Sequence, residues 1–449
     1  MMDALVEYLD KMGEQSVAVC LLDALGRHSH QFEQFDEIAK SYFKIKQHDK
    51  ALVFAEKALT CAPVNSYAAK YNVINVANHA NHPERALTLI KQLELINPQD
   101  TDVQLEKAFS LFLMNRKSDA EAVLRRELEN PLNDTQVKTK IRFNLGTYEL
   151  LRDEFQSGLR KFLFEGRKLN YWHKPHFPFD QWQGHVEPHR IIYVRAEAGI
   201  GDEFINVRWC HHLKARGMQP IWYSERTELC EIFRRCGFRT ASDPRDILIT
   251  QNPCWVHSMD LPVLLNLTYD DLWKGAYLFA NPELQLSDHL FSHTSGPRIG
   301  IRWQGNPSYD QDLHRSIPFD QLFKTVQEAV PHAHIYSLQR DTGLEEITCG
   351  DEITLLHDHM HTYDHTLSMM DQLDLVITSC TSIAHAAAAM GKQTVVITPI
   401  SAYYTWCHSD PQSPWYGDHV TLLRQQKPRT WQEPLTQLKE HLHEKFNNR

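Results

Sequence analysis

Residues 373–391, LDLVITSCTSIAHAAAAMG, constrain this 449-residue chain more than any other stretch. Leu375, Val376 and Ile377 form a short apolar run of β-forming residues. Thr378, Ser379, Cys380, Thr381 and Ser382 follow, all small or hydroxylated. Residues 384–390 then read as an alanine-rich helix stopped by Gly391, and a second apolar run, 394–398, ends at Pro399. Strand, loop, helix and strand in that order are the unit of a parallel sheet. The first turn of such a helix presents unpaired backbone N–H groups and a positive dipole end, which stabilise a phosphate. Two hydroxyls lie at that turn. The same pattern also suits an ordinary strand–helix–strand unit in which Thr381 or Ser382 only caps the helix.

The first 170 residues carry a different signal. Strand patterns are almost absent, and small residues repeat. Ala51 recurs as Ala86 and Ala120, at intervals of 35 and 34. Pro63 recurs as Pro98 and Pro131, at intervals of 35 and 33. A period near 34 is that of tetratricopeptide helix pairs. Small side chains at Ala39, Ala51 and Ala58 let two helices approach closely, and proline ends the second. A looser fourth pair places Leu145, Gly146 and Gly158 at the small positions, and residues 3–28 read as a capping helix or an incomplete repeat. Such an array is either a scaffold or a concave acceptor-binding surface. Residues 171–188, with prolines and aromatics packed into 171–184, read as an irregular packed connector.

At Arg190 the period changes to strand and helix in alternation. Residues 191–194 predict a strand, followed by a loop with Gly199, Gly201 and Asp202, then a helix to about 215 and a strand at 221–223. Residues 247–250 read as extended and 258–265 as helical. The loop follows the first strand, at the carboxyl end where open α/β sheets bind ligands. Its spacing is not that of a dinucleotide fingerprint. A second such half starts at 298–303, with a polar loop at 304–315, a helix from 316 to 329, a strand at 334–338 and a helix near 367–372. The expected units are 1–170, helical repeats; 171–188, connector; 189–290, the first Rossmann-like domain; 296–425, the second; and 426–449, one amphipathic helix crossing back to the first. Two doubly wound halves in tandem place a ligand in the cleft between them.

Net charge is −10, which argues against non-specific nucleic-acid binding. Nine cysteines without a CxxC pair suit free thiols in a reducing compartment. No basic and apolar leader opens the sequence, and no apolar run approaches a membrane span. A cytoplasmic protein is therefore expected. The 26 histidines are scattered, so no metal site is expected.

GIRWQGNP at 300–307, HRSIP at 314–318, SLQ at 337–339, DLVITSCTSIAHAAAAMGK at 374–392 and SPWYG at 413–417 resemble the motifs of tetratricopeptide-linked glycosyltransferases. So do WQG at 182–184, AEAGIGDE at 196–203 and LLRQ at 422–425. The carboxyl-terminal part is similar to the ADP-heptose:lipopolysaccharide heptosyltransferases, glycosyltransferase family 9. The resemblance covers roughly 180–425. It implies an all-α tetratricopeptide solenoid followed by a GT-B fold, in which two Rossmann-like domains flank a cleft and the second holds a nucleotide-sugar. It implies an inverting transfer to an acceptor hydroxyl of a glycan, a protein or another molecule, without metal or cofactor. The rival reading is a non-catalytic repeat scaffold, or a sugar-binding protein with a relic transferase domain.

The resemblance also carries residues. Thr381, Ser382 and His385 match the Thr, Gly and His of the family's Asp-Thr-Gly-x-x-His turn, and Cys380 replaces its acidic residue. Asp202 matches the position of the proposed catalytic base, where a carboxylate would take the acceptor's proton. It also suits a helix cap, and Glu203 is the reserve base. Arg315, with a planar fork suited to phosphate, is the first choice to neutralise the leaving group, and His314 the second. Gly305 and Asn306 lie on the loop expected to line the cleft. Trp415 and Tyr416 suit either core or ligand contact.

Overall fold

The computed structural model describes the chain apart from residues 1, 13, 170–176, 248, 292–294, 341 and 447–449. A third of the expected connector, residues 171–176, therefore lies outside the described residues. The amino-terminal part is the expected array of helix pairs. Met2–Lys11 and Gln15–His28 precede Phe32–Lys44 with His48–Cys61, Tyr67–His79 with Pro83–Glu94, Thr101–Leu113 with Lys117–Glu129, and Thr135–Leu151 with Phe155–Arg160. Ala51, Ala86 and Ala120 are fully buried, as close helix packing requires. In the last pair two glycines meet. A Cβ on Gly146 would lie 2.8 Å from the Gly158 carbonyl oxygen, so neither position accepts a side chain.

Two parallel sheets follow. In the first, β1 (Ile191–Arg195), β2 (Gln219–Tyr223), β3 (Thr240–Ala241) and β4 (Cys254–His257) stand in the order β3-β2-β1-β4. The second contains β5 (Arg298–Arg302), β6 (His334–Ser337), β7 (Thr354–Leu355), β8 (Leu375–Ser379), β9 (Thr394–Thr398), β10 (Gln412–Ser413) and β11 (Gly417–Arg424). Their order is β10-β11-β9-β8-β5-β6-β7, parallel except for the edge pair β10–β11. β8 and β9 are buried along their whole length, because helices cover both faces of the sheet. The chain order reverses between β1 and β4 in the first sheet and between β5 and β8 in the second. Such switch points open a crevice at the carboxyl ends of the strands.

Three expectations are corrected. The extended segment expected at 247–250 is not a strand in its described residues, and residue 248 lies outside them. A 3-10 turn occupies Ile249–Gln251, and the strand is Cys254–His257. The helix after β1 is broken in two, Ile200–Asn206 and Trp209–Ala215. The carboxyl-terminal helix, Gln432–Phe446, does not cross back to the first half. Leu435, Leu438 and Leu442 pack into the core of the second, beside Phe319, Phe323 and Val326. Lys439 pairs there with Glu328 at 2.7 Å.

The array grips both halves. Towards the first, Gln156 donates to the Pro262 and Leu267 carbonyls. Arg167 enters a buried cluster, donating to Glu197 at 2.5 and 3.0 Å and to Asp260 at 2.7 Å. Towards the second, Arg429 reaches back to Asp49 and the Ala80 carbonyl, Asn115 donates to Gln426, and Lys46 pairs with Asp310. The halves also meet directly. Arg208 of the first donates to the Trp415 carbonyl at 2.6 Å. Its guanidinium lies 4.7–5.7 Å from the rings of Trp209, Tyr277, Trp415 and Tyr416. Trp415 and Tyr416 are thus core aromatics, 1% and 0% exposed.

Candidate active site at the junction of the sheets and the array

The two switch points and the inner face of the array enclose one cleft of about 1280 Å³. The first sheet contributes Gly199, Gly201, Asp202 and Arg226. The second contributes Arg302, Gly305, Asn306, Tyr309, Arg315, Thr381, Ser382, His385 and Tyr403. The sequence-derived candidates thus converge, apart from His314 and Glu203.

His314 does not line the cleft among the described residues. Its ring is buried, stacks on Phe109 of the array, and places Nε2 3.1 Å from the His79 carbonyl oxygen. It joins the array to the second half and is not a donor to the leaving group. Glu203 is fully buried inside the first half. It accepts bonds from Trp222, Ser224 and Arg226, so it has no path to an acceptor.

Asp202 sits at the third position of the Ile200–Asn206 helix, with Gly199 as N-cap. Its Oδ2 accepts the Gly199 N–H at 3.0 Å. Its Oδ1 accepts the Tyr403 hydroxyl at 2.8 Å, a bond that joins the two halves. Asp202 is therefore not the N-cap itself but the third residue, whose side chain caps back onto Gly199, and this role coexists with a place on the cleft wall. Burial pushes its carboxyl up to about 6, against the pull of these two hydrogen bonds. A group titrating there is ionised at neutral pH yet basic enough to take a proton. The preceding Ala198 is held at φ +57°, a left-handed conformation unusual for a residue with a Cβ.

Facing Asp202, the Ser382–Ala389 helix points its amino end into the cleft. Thr381 is its N-cap, but its hydroxyl lies 3.2 Å from that of Thr378 and makes no capping bond. The Ser382 hydroxyl lies 3.0 Å from that of Tyr363. His385 stacks on Trp406, and its Nδ1 lies 3.1 Å from the Tyr416 hydroxyl. Burial, with Arg208 and Arg315 nearby, pushes it down to about 3, so the imidazole is neutral. Gly201 lets the two helices meet, since a Cβ there would lie 3.1 Å from His385 Cδ2. Cys380 is buried, and burial raises its thiol, which disfavours a thiolate nucleophile.

Arg315 is fixed from two sides. Its Nε donates to Asp312 at 2.8 Å and its Nη1 to the Cys380 carbonyl at 2.7 Å. Its guanidinium lies 4.6 Å from the Tyr309 ring. Gly305 passes directly over it, and a Cβ there would lie 2.2 Å from Nη2. Gly305 thus makes room for the arginine. The array wall was not foreseen in detail. Asn75, Phe109 and Phe143 line the cleft from successive first helices, 34 residues apart each time. Glu106 and Lys140 form a second row with the same interval. The repeat period itself is the signal that pairs them. Among the described residues no three His, Cys, Asp or Glu side chains gather where a metal ion could be held, and no helix is long and apolar enough to cross a membrane.

Buried histidines predict a pH response. Burial pushes His314 and His408 down to about 4 and His385 to about 3. Below the ordinary value of about 6.5 the unfolded chain binds protons that the folded chain refuses. Stability is therefore complete above that value and falls as pH drops towards 4. Asp202, Asp260, Asp312 and Glu346, raised by burial, act in the opposite sense but are outnumbered by the histidines that burial pushes down, which also include His48, His79 and His212. The thermal midpoint should fall steeply between about pH 6.5 and 4.5, and His314→Gln should flatten the slope. A midpoint that stays level over that range would contradict the burial of these neutral rings.

No protein-family model matches this sequence, and no curated protein matches it. Similar solved structures include a mutant O-GlcNAc transferase of Thermobaculum terrenum, 14% identical over 94% of both chains, with a TM-score of 0.32. A glycosyl transferase family 9 protein of Veillonella parvula is 10% identical over 54% of this chain and 87% of that one, with a TM-score of 0.35. The iron-containing dodecameric glycosyltransferase TibC of enterotoxigenic E. coli is 9% identical over 59% of this chain and 75% of that one, with a TM-score of 0.36. At such values these likenesses assign neither a reaction nor a residue role, and the functional reading rests on the cleft.

Proposed function

We propose that this chain is a glycosyltransferase that moves a sugar from a nucleoside-diphosphate donor to an acceptor hydroxyl. One observation carries the reading. A buried carboxylate, Asp202, and a helix amino terminus beside Arg315 line one cleft, the first from the first half and the second from the second. The diphosphate binds at the amino end of the Ser382–Ala389 helix, beside Thr381, Ser382 and Arg315, on the loop side where Gly305 and Asn306 lie. Arg302 adds positive charge beside Arg315, whereas Arg226 is already paired with Glu203, so the departing diphosphate is neutralised by the cations of the second half, without a metal ion. Asp202 takes the acceptor's proton as the acceptor oxygen attacks the anomeric carbon. The bond to phosphate breaks on the opposite side, and a single displacement of this kind inverts the anomeric centre. The array wall, with Asn75, Glu106, Phe109, Lys140 and Phe143, receives the acceptor, be it a glycan, a protein or another hydroxyl compound.

A thermal-shift screen with UDP, GDP, ADP, CMP and their sugars tests the reading. A ligand at 100 times its Kd stabilises the fold by about 2.7 kcal/mol. One nucleotide should bind, and its sugar should be hydrolysed slowly without acceptor. Binding without any hydrolysis or transfer would favour a sugar-binding module. Binding of none would end the proposal. Ser382→Glu places a negative side chain where the diphosphate would sit. The helix tolerates it, since acids suit a first turn, but nucleotide binding should be lost. Unchanged affinity by calorimetry would remove this turn from the site.

A further inference from the structure

The Tyr403 hydroxyl is the only side chain seen to bond Asp202 among the described residues, and it comes from the other half of the protein. It follows β9 on the segment 399–406, whereas Asp202 follows β1. Tyr403 lines the cleft and is only partly buried, while Asp202 is 8% exposed. Its ring is braced by Phe162 of the array, 6.4 Å away, and by Tyr404, 4.6 Å away. Array, first half and second half therefore meet at one hydrogen bond.

We propose that Tyr403 is a positioning residue of the transfer reaction: its phenol, supplied by the other half of the protein, orients the Asp202 carboxylate and makes a competent base depend on the correct seating of the two halves. This rests on the reading of Asp202 as the base. A hydrogen bond given to a carboxylate favours its charged form, so the phenol offsets part of what burial costs. The bond also turns the carboxylate, because Gly199 fixes one oxygen and Tyr403 the other. The other groups that face Asp202 do not replace it. Glu197 of the same loop is an anion that opposes ionisation. Tyr404, Tyr309 and Cys380, packed from the second half, are neutral groups held protonated by burial.

The test needs no substrate in its first arm. Infrared difference titration, wild type minus Asp202→Asn, reads the Asp202 carboxyl directly. In Tyr403→Phe its midpoint should rise by about one pH unit, the scale of one charge-assisted hydrogen bond. Should that variant fold poorly, 3-fluorotyrosine at position 403 keeps the shape. Its more acidic phenol donates more strongly, so the midpoint should move down. The second arm measures hydrolysis of UDP-, GDP- and ADP-hexoses against pH, and the acid limb should move with the carboxyl in both variants. An unmoved carboxyl in both variants overturns the proposal. If Asp202→Asn is inactive yet Tyr403→Phe leaves the acid limb in place, the base stands and only the role of Tyr403 falls. If Asp202→Asn hydrolyses at the wild-type rate, the base reading falls and this inference with it.

Discussion

Asp202→Asn is expected to lower kcat by about 10²-fold or more, the usual scale for loss of a general base. Donor Kd should stay within about threefold of wild type, because a base acts in the chemical step and not in binding the ground state. The geometry makes this variant clean. The asparagine oxygen can still accept the Gly199 N–H, and the amide nitrogen can face the Tyr403 hydroxyl. Folding stability should therefore change by less than about 1 kcal/mol. Normal turnover would show that the carboxylate is only a cap that also ties the halves together. A loss of donor binding in proportion to rate would move the nucleotide to the first half.

Arg167→Met should have the largest effect on stability. The arginine is 14% exposed and faces two carboxylates, Glu197 and Asp260, that are 2% and 4% exposed at their side chains. His257 Nδ1 lies 3.0 Å from Glu197 and is its other side-chain neighbour in the cluster. Removing one partner of a buried ionic cluster costs about 3–5 kcal/mol, because the remaining charge is stranded. The stranded carboxylates would then take up protons more readily. The sign follows: the loss relative to wild type should be largest above neutrality and shrink as pH falls. Denaturant unfolding at pH 8 and pH 5.5 would show it, and an equal loss at both would mean that the cluster is not electrostatic. Glu197 lies five residues before Asp202, so the same substitution should also disturb the glycine loop.

Much of the fold could be read from residues. β9 lies where the apolar run 394–398 put it, and β1 extends one residue past the expected end, because strands buried on both faces carry continuous apolar runs. The apolar run at 247–250 misled for the same reason. It is β-prone, but β1 is paired instead by Cys254–His257. The carboxyl-terminal helix shows the limit of pattern reading. Its apolar stripe tells that one face is buried, not which surface buries it. His314 and Arg315 show it at closer range. They are neighbours on the Asp312–Arg315 turn, and one points into the array while the other points into the cleft. Tyr403 and Arg208 were not legible at all, since each acquires its role from a contact across about 200 residues of sequence.

Solenoids usually tolerate gain or loss of a unit, since each repeat touches only its neighbours. This one is a strut pinned at two places. Arg167 anchors its last turn to the first sheet, while Asp49, His79 and Ala80 anchor an earlier part to the second. The two sheets are themselves locked through Arg208. The span between the pins therefore has only one length that closes. An extra 34-residue unit inserted between them would pull one pin out of register, whereas a unit added before residue 32 would leave both intact. Variation in the length of this array is thus confined to the part before residue 32, and the number of rows facing the cleft is set by the sheets.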